Sequence, residues 1–177
     1  METFLASVQE RAFRTAEIAT RSRDDALDIV QDTMYDFVRR YADHADDQWR
    51  PLFFRVLQNK IRDWYRRTAV RRKFGGWLAF AFQNNEGGRR EDPFEQVADA
   101  KGITPADDLE LQDSLSRLSQ ALENLPHKQQ QVFLMRAWEG FSTKETAAIM
   151  KCSEGTVKTH YFRALKTLQK KLQDYWP

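Results

Sequence analysis

The chain has 177 residues, 41% apolar and 31% charged, with seven glycines and five prolines; this excludes collagen-like and broadly disordered classes and leaves one or two domains. No apolar run approaches the ~18 residues of a membrane span. The start, METFLASVQER, lacks a signal-peptide core, and the single cysteine, Cys152, excludes an internal disulfide framework, so the expected setting is the cytoplasm.

The net charge of +2 hides a strong asymmetry. Residues 50–73 carry nine bases (Arg50, Arg55, Lys60, Arg62, Arg66, Arg67, Arg71, Arg72, Lys73) against Asp63 alone. Residues 86–113 carry nine acids against Arg89, Arg90 and Lys101, and residues 150–172 carry six bases against Glu154. Two basic segments flanking an acidic one point to a polyanionic partner, nucleic acid first.

In chain order, Phe4, Leu5, Val8 and Ala12 predict a short first helix. From Asp24, Leu27, Val30, Met34, Phe37/Val38 and Tyr41 recur at helical spacing as an inner face, leaving Asp28, Gln31, Asp32, Tyr35 and Arg39 outside. The stretch 43–48 reads as a polar turn, not a metal site, despite Asp43, His44, Asp46 and Asp47. Pro51 suits the first turn of a third helix, with Phe53, Val56/Leu57, Ile61 and Trp64 inward and Arg55, Asn59, Arg62 and Arg66 on the opposite stripe. Arginine forks pair with phosphates and aromatic rings stack on unpaired bases, so this alternation favours partly single-stranded DNA. Trp64 fits either that role or the core.

Five of the seven glycines lie between 75 and 102, with Pro93 and Pro105. The division is therefore a domain at 1–73, an acidic flexible linker at 74–106 and a second domain at 107–177. The linker contains one apolar cluster, Trp77-Leu78-Ala79-Phe80-Ala81-Phe82, which either covers a domain surface or docks on a partner. Beyond it, Leu111, Leu115, Leu118, Leu122 and Leu125 form a core-facing stripe that Pro126 ends. A helix follows from His127 to Glu139. After Gly140, Ser142-Thr143-Lys144-Glu145 is a capping-box pattern opening a short helix through Met150. Lys151-Cys152 make a turn and Ser153 caps the last helix, whose inner face is Val157, Tyr161, Leu165, Leu168 and Leu172. This is a helix-turn-helix in an all-α chain of two small helical domains. Small residues such as Thr156 and Thr159 let such a helix enter the major groove, while Arg163 and Lys166 reach phosphates or base edges.

The segments Glu139-Gly140-Phe141-Ser142-Thr143-Lys144-Glu145 and Cys152-Ser153-Glu154-Gly155-Thr156-Val157-Lys158-Thr159-His160, then Arg163-Ala164-Leu165, resemble region four of bacterial sigma factors. The stretch Asp25-Ala26-Leu27-Asp28-Ile29-Val30-Gln31-Asp32 and the helix from Arg55 to Arg67 resemble region two. Two regions with a linker and no middle domain is the layout of the extracytoplasmic-function (ECF) sigma factors. The sequence departs from that pattern at Thr20-Arg21-Ser22-Arg23, at Thr146-Ala147 and at Gln130, where an arginine often lies.

The resemblance implies a protein that binds core RNA polymerase and directs promoter recognition. Asp28, Gln31, Asp32 and Tyr35 would dock on polymerase; Asn59, Arg62, Trp64, Tyr65, Arg66 and Arg67 would open and read the −10 element; Thr156, Lys158, Thr159, His160, Arg163 and Lys166 would read the −35 element as duplex. An anti-sigma factor is a further partner that the resemblance allows, and the acidic linker would thread toward the basic interior of polymerase. An extended linker of about 33 residues spans on the order of 110 Å, beyond two duplex turns of about 70 Å, so both domains can reach one promoter. The alternative is a LuxR-like helix-turn-helix regulator acting without polymerase. No Walker loop, HExxH or carboxylate–histidine cluster is present, so neither enzymatic activity, a cofactor nor a metal is expected.

Overall fold

The computed structural model describes residues 1–79 and 116–172, which form helices joined by short turns, with no strand among them. Helix α1 spans Glu2–Thr20, well beyond the short helix expected. Its second half buries Thr15, Ala16, Ala19 and Thr20, small residues that carry little hydrophobic signal but let neighbouring helices approach closely. The helix stops at Arg21, which takes the left-handed conformation (φ 56°) and donates its backbone N–H to Glu17 O at 2.7 Å. Ser22 then caps α2 (Arg23–Tyr41), its Oγ accepting from the Asp25 N–H.

The inner face of α2 is rotated from the expected stripe. Ala26, Ile29, Val30, Thr33 and Phe37 are buried, while Leu27 and Val38 are exposed. Thr33 is admitted because its hydroxyl donates to Ile29 O. Helix α3 (Asp46–Ala79) begins five residues before Pro51. Asp46 and Asp47 in its first turn favour the positive helix end, and Pro51 forgoes one i→i−4 bond near the start. The helix also continues past residue 73 into the range read as linker. The acidic stretch, Leu111, Leu115 and the surroundings of the 77–82 cluster lie outside the described residues.

Phe4, Phe37, Tyr41, Trp49 and Phe53 tie α1, α2 and α3 together, with ring centroids 5.5–5.9 Å apart. Each such pair contributes about 0.5–1.5 kcal/mol beyond simple burial.

In the second half, the described part of α4 covers residues 116–123. Helix α5 (His127–Phe133) follows Pro126 and passes into a π-helical turn, Leu134–Trp138. Gly140, at φ 72°, reverses the chain in a conformation that a side chain would strain. Helix α6 (Thr143–Met150) opens on the expected capping box, with Ser142 and Glu145 bonding each other's backbone N–H. Lys151 is the left-handed turn residue, and Ser153 Oγ accepts from the Thr156 N–H at the start of α7 (Glu154–Leu172). In α7 the inward residues are Val157, Ala164 and Leu168, with Tyr161 and Leu172 partly buried; Leu165, expected inside, is 43% exposed.

The two halves share one hydrophobic core. A single cluster runs from Phe37, Phe53 and Leu57 through Phe54 and Ile61 to Leu122, Leu134, Met135, Phe141 and Ile149. Phe54 is the hinge of it, edge-on to Phe53 at 5.6 Å on one side and to Phe141 at 5.4 Å on the other.

Candidate nucleic-acid and polymerase interface

The acidic stripe of α2 is where the spacing put it. Asp28, Gln31, Asp32 and Tyr35 are all exposed, Tyr35 at 68%. An ion-pair network borders the stripe: Lys60 Nζ lies 2.8 Å from Asp36 and 3.6 Å from Asp32, and Arg39 and Arg40 also pair with Asp36. The hydrogen bond from Lys60, with the charges around it, holds the Asp36 carboxyl below its usual range. A groove of about 290 Å³ separates this stripe from α3, lined by Asp28, Gln31 and Asp32 on one wall and by Trp64, Arg67 and Thr68 on the other.

The basic and aromatic residues of α3 are divided between two grooves. Trp64 and Arg67 face α2, Trp64 half-buried and packed against the core. Arg62, Tyr65 and Arg66 face the other way, into a cleft of about 610 Å³ between α3 and the helix-turn-helix. Asn59 is half-buried on the same helix. Arg62 donates to Met150 O at 3.1 Å. Tyr65 donates its hydroxyl to Ala19 O at 2.7 Å, and its ring lies over His127 at 3.7 Å. Arg66 pairs with Asp63.

The opposite wall of the cleft carries Lys128, Lys151, Cys152, Thr156 and His160. Two of the expected duplex-reading residues, Thr156 and His160, thus face the expected strand-opening residues. The remaining four, Lys158, Thr159, Arg163 and Lys166, are exposed. Phe162 belongs with them. It is 67% exposed, three residues after Thr159 and next to Arg163, where an apolar ring can meet a thymine methyl. Its signal in the sequence was its position on the outer stripe, which the focus on polar and basic residues passed over.

Burial pushes the Cys152 thiol above its usual value, the opposite of what a reactive thiolate needs. Burial, then the Arg62 and Lys128 charges, push His127 down to about 4. Its Nδ1 has no hydrogen-bond partner among the described residues, and the groups around it are Arg62, Tyr65 and Arg66 of α3, Lys128 of α5, Lys151 and Cys152 of the turn, and His160 of α7. A neutral, buried imidazole binds fewer protons than an exposed one. The cleft is therefore undisturbed by His127 above about pH 6.5, and protonation increasingly opposes its closure as pH falls from there toward about 4. Following the His127 ring proton by NMR should give a midpoint near 4; a midpoint near 6.5 would show the ring in water and the cleft open.

Among the described residues no group of three or more His, Cys, Asp or Glu could hold a metal ion, and no helix is long and apolar enough to cross a membrane.

Residues 115–168 match the family described as Sigma-70, region 4. The ECF RNA polymerase sigma-E factor of Escherichia coli (strain K12) is 33% identical over 154 residues, covering 84% of this chain and 74% of that protein. The RNA polymerase sigma-E factor of Streptomyces avermitilis is 28% identical over 173 residues, 97% of this chain and 84% of the relative. In fold, the chain is similar to the sigma factor RpoE in its complex with the anti-sigma factor NepR from Bartonella quintana, with a TM-score of 0.62 at 20% identity, covering 99% of this chain and all of that one. The match to a region-four model is confined to the helix-turn-helix half, but the Streptomyces and E. coli likenesses run through both halves. The chain belongs to the ECF RNA polymerase sigma factors and serves in transcription initiation.

Proposed function

We propose that the chain divides this work between its two helical regions. The α2 stripe Asp28, Gln31, Asp32 and Tyr35 docks on core RNA polymerase. Asn59, Arg62, Trp64, Tyr65, Arg66 and Arg67 open and read the −10 element. Thr156, Lys158, Thr159, Phe162, Arg163 and His160, with Lys166 on phosphate, read the −35 element as duplex. The chain carries no catalysis of its own, and polymerase supplies the chemistry.

The observation that carries the reading is the capped helix-turn-helix, whose second helix leaves a solvent-facing stripe of small, aromatic and basic side chains. An anti-sigma factor, the kind of partner named with the Bartonella relative in fold, is included as a regulator. A regulator working without polymerase would need only the helix-turn-helix half, whereas likeness to sigma factors extends over 97% of the chain.

Run-off transcription with core polymerase and genomic fragments tests the proposal, and it requires transcripts that begin at discrete sites only when the chain is added. Asp32→Arg reverses the charge at the centre of the α2 stripe and sits on a 68% exposed side chain, so the helix should persist. It should weaken core binding about tenfold or more, since like-charge juxtaposition at an interface costs several kcal/mol. Unchanged affinity in a folded Asp32→Arg protein would remove this face from the interface.

A further inference from the structure

The cleft between α3 and the helix-turn-helix concentrates one sign of charge. Arg62, Arg66, Lys128 and Lys151 line it, and no carboxylate among the described residues does. Neither Lys128 nor Lys151 has an ion-pair partner among the described residues, and neither belongs to the groups assigned above to a promoter element. A low-dielectric cleft of one sign focuses its field and gathers anions. That field is felt inside it: after burial, the Arg62 and Lys128 charges are what push His127 down to about 4.

The cleft has the size of a small-molecule site. Its volume of about 610 Å³ falls within the usual range of about 300–1,000 Å³, and a lone inorganic phosphate would leave most of it empty. Apolar surface lies beside the charge, since Val132, Met150 and the Tyr65 ring share the lining. Hydrogen-bonding capacity is left over as well. His127 Nδ1 and His160 Nδ1 are buried with no partner among the described residues, a costly state for a polar atom. Burial and neighbouring cations favour the neutral form of both rings, and a neutral imidazole nitrogen without a proton accepts. The ligand chemistry that answers all of this is an anion carrying a flat, partly apolar body with hydroxyl or N–H donors.

We propose that the cleft binds a nucleoside polyphosphate, its phosphates among Arg62, Arg66, Lys128 and Lys151 and its nucleoside against Tyr65, Val132 and Met150. Both guanidiniums have N–H groups to give: Arg62 uses Nη2 on Met150 O, and Arg66 uses Nη2 on Asp63. Arg62, Tyr65 and Arg66 are shared with the −10 assignment proposed above. Lys128 and Lys151 are not, so the test is built on them.

Isothermal titration calorimetry of the full chain, with ATP and separately with inorganic tripolyphosphate, reads affinity and stoichiometry. One ATP should bind per chain, about fivefold or more tighter than tripolyphosphate, because stacking is added to a similar charge. Lys128→Glu reverses one of the cleft's cations and should weaken ATP binding about tenfold or more. The new acid lies in the first turn of α5, where the helix dipole favours it, so the fold should persist. Lys144→Glu makes the same change at the matching second residue of α6, outside the cleft, and should alter ATP affinity by less than about twofold. Lys151→Asn is a second cleft variant: it removes the charge but tolerates the left-handed backbone there (φ 54°), and it should also weaken binding. NMR reads the location. Ring signals of His127 and His160 should move when ATP is added, while those of His44, in the turn between α2 and α3, should stay.

Support is saturable one-to-one binding that both cleft variants weaken and Lys144→Glu does not. No saturable binding at about 1 mM ATP, or equal losses in Lys128→Glu and Lys144→Glu, overturns the site. Binding that leaves the His127 and His160 signals unmoved overturns it too, by placing ATP elsewhere. ATP that binds no more tightly than tripolyphosphate overturns the nucleoside assignment.

Discussion

Phe54→Ala should lower the unfolding free energy by about 3–5 kcal/mol, the usual cost of emptying a phenylalanine site that cannot collapse. Phe54 is fully buried and touches Phe53 within the first region and Phe141 in the second. The contact with Phe141 exists only while the halves are packed, and without it Phe54 would face water. Urea denaturation measures the loss. A change below about 1 kcal/mol would mean that α3 and α6 are apart in solution. Phe37→Ala serves as the comparison, because Phe37 lies wholly among Phe4, Tyr41 and Phe53 and its cost is independent of closure.

Arg163→Ala should reduce binding to the −35 element and flatten the preference among its variants. Arg163 is exposed on α7, seven residues after Thr156 and four after Thr159, midway along the helix proposed to enter the groove. A bidentate contact from guanidinium to guanine is worth about 1–3 kcal/mol of discrimination, which is roughly fivefold to 150-fold in affinity ratio. Lys170, in the last turn, should behave differently: Lys170→Ala should weaken all sequences about equally and reduce the salt dependence. Both variants are measured against a small panel of −35 duplexes at two salt concentrations. An equal loss on every duplex would make Arg163 a phosphate clamp and remove it from sequence reading.

The local chemistry of the second half was legible residue by residue. Ser142 with Glu145, the Lys151-Cys152 turn and Ser153 marked both ends of the helix-turn-helix, and the structure places the caps on those atoms. Caps are decided within four residues, so sequence suffices for them. The acidic stripe of α2 was equally readable, since exposed positions need only a periodicity and a lack of apolar partners. The first helix was read too short because Thr15, Ala16, Ala19 and Thr20 are weakly apolar, and their burial follows from close packing rather than from hydrophobicity. Leu27 and Leu165 were read as core and are exposed, because helical spacing defines a face only to within one residue, and the neighbours Ala26 and Ala164 fit the tighter gap.

By itself, then, the sequence determined the all-helical class, the caps of the helix-turn-helix, the charge asymmetry and the likeness to sigma factors, all of which depend on interactions within a few residues or on composition. Only the tertiary structure decided which way the α3 groups point and what they meet. Arg62 and Tyr65 sit on the same helix as Trp64 and Arg67, yet 100° per residue turns the first pair onto the helix-turn-helix and the second onto α2. Gln58, Gln130, Gln131 and Glu139 are polar residues that give no sign of burial in one dimension. They are buried because partners up to 128 residues away hydrogen-bond to the carboxylate and to the Gln58, Gln130 and Gln131 amides, and such long-range pairing of polar groups is set by the packing of whole helices, which no local pattern encodes.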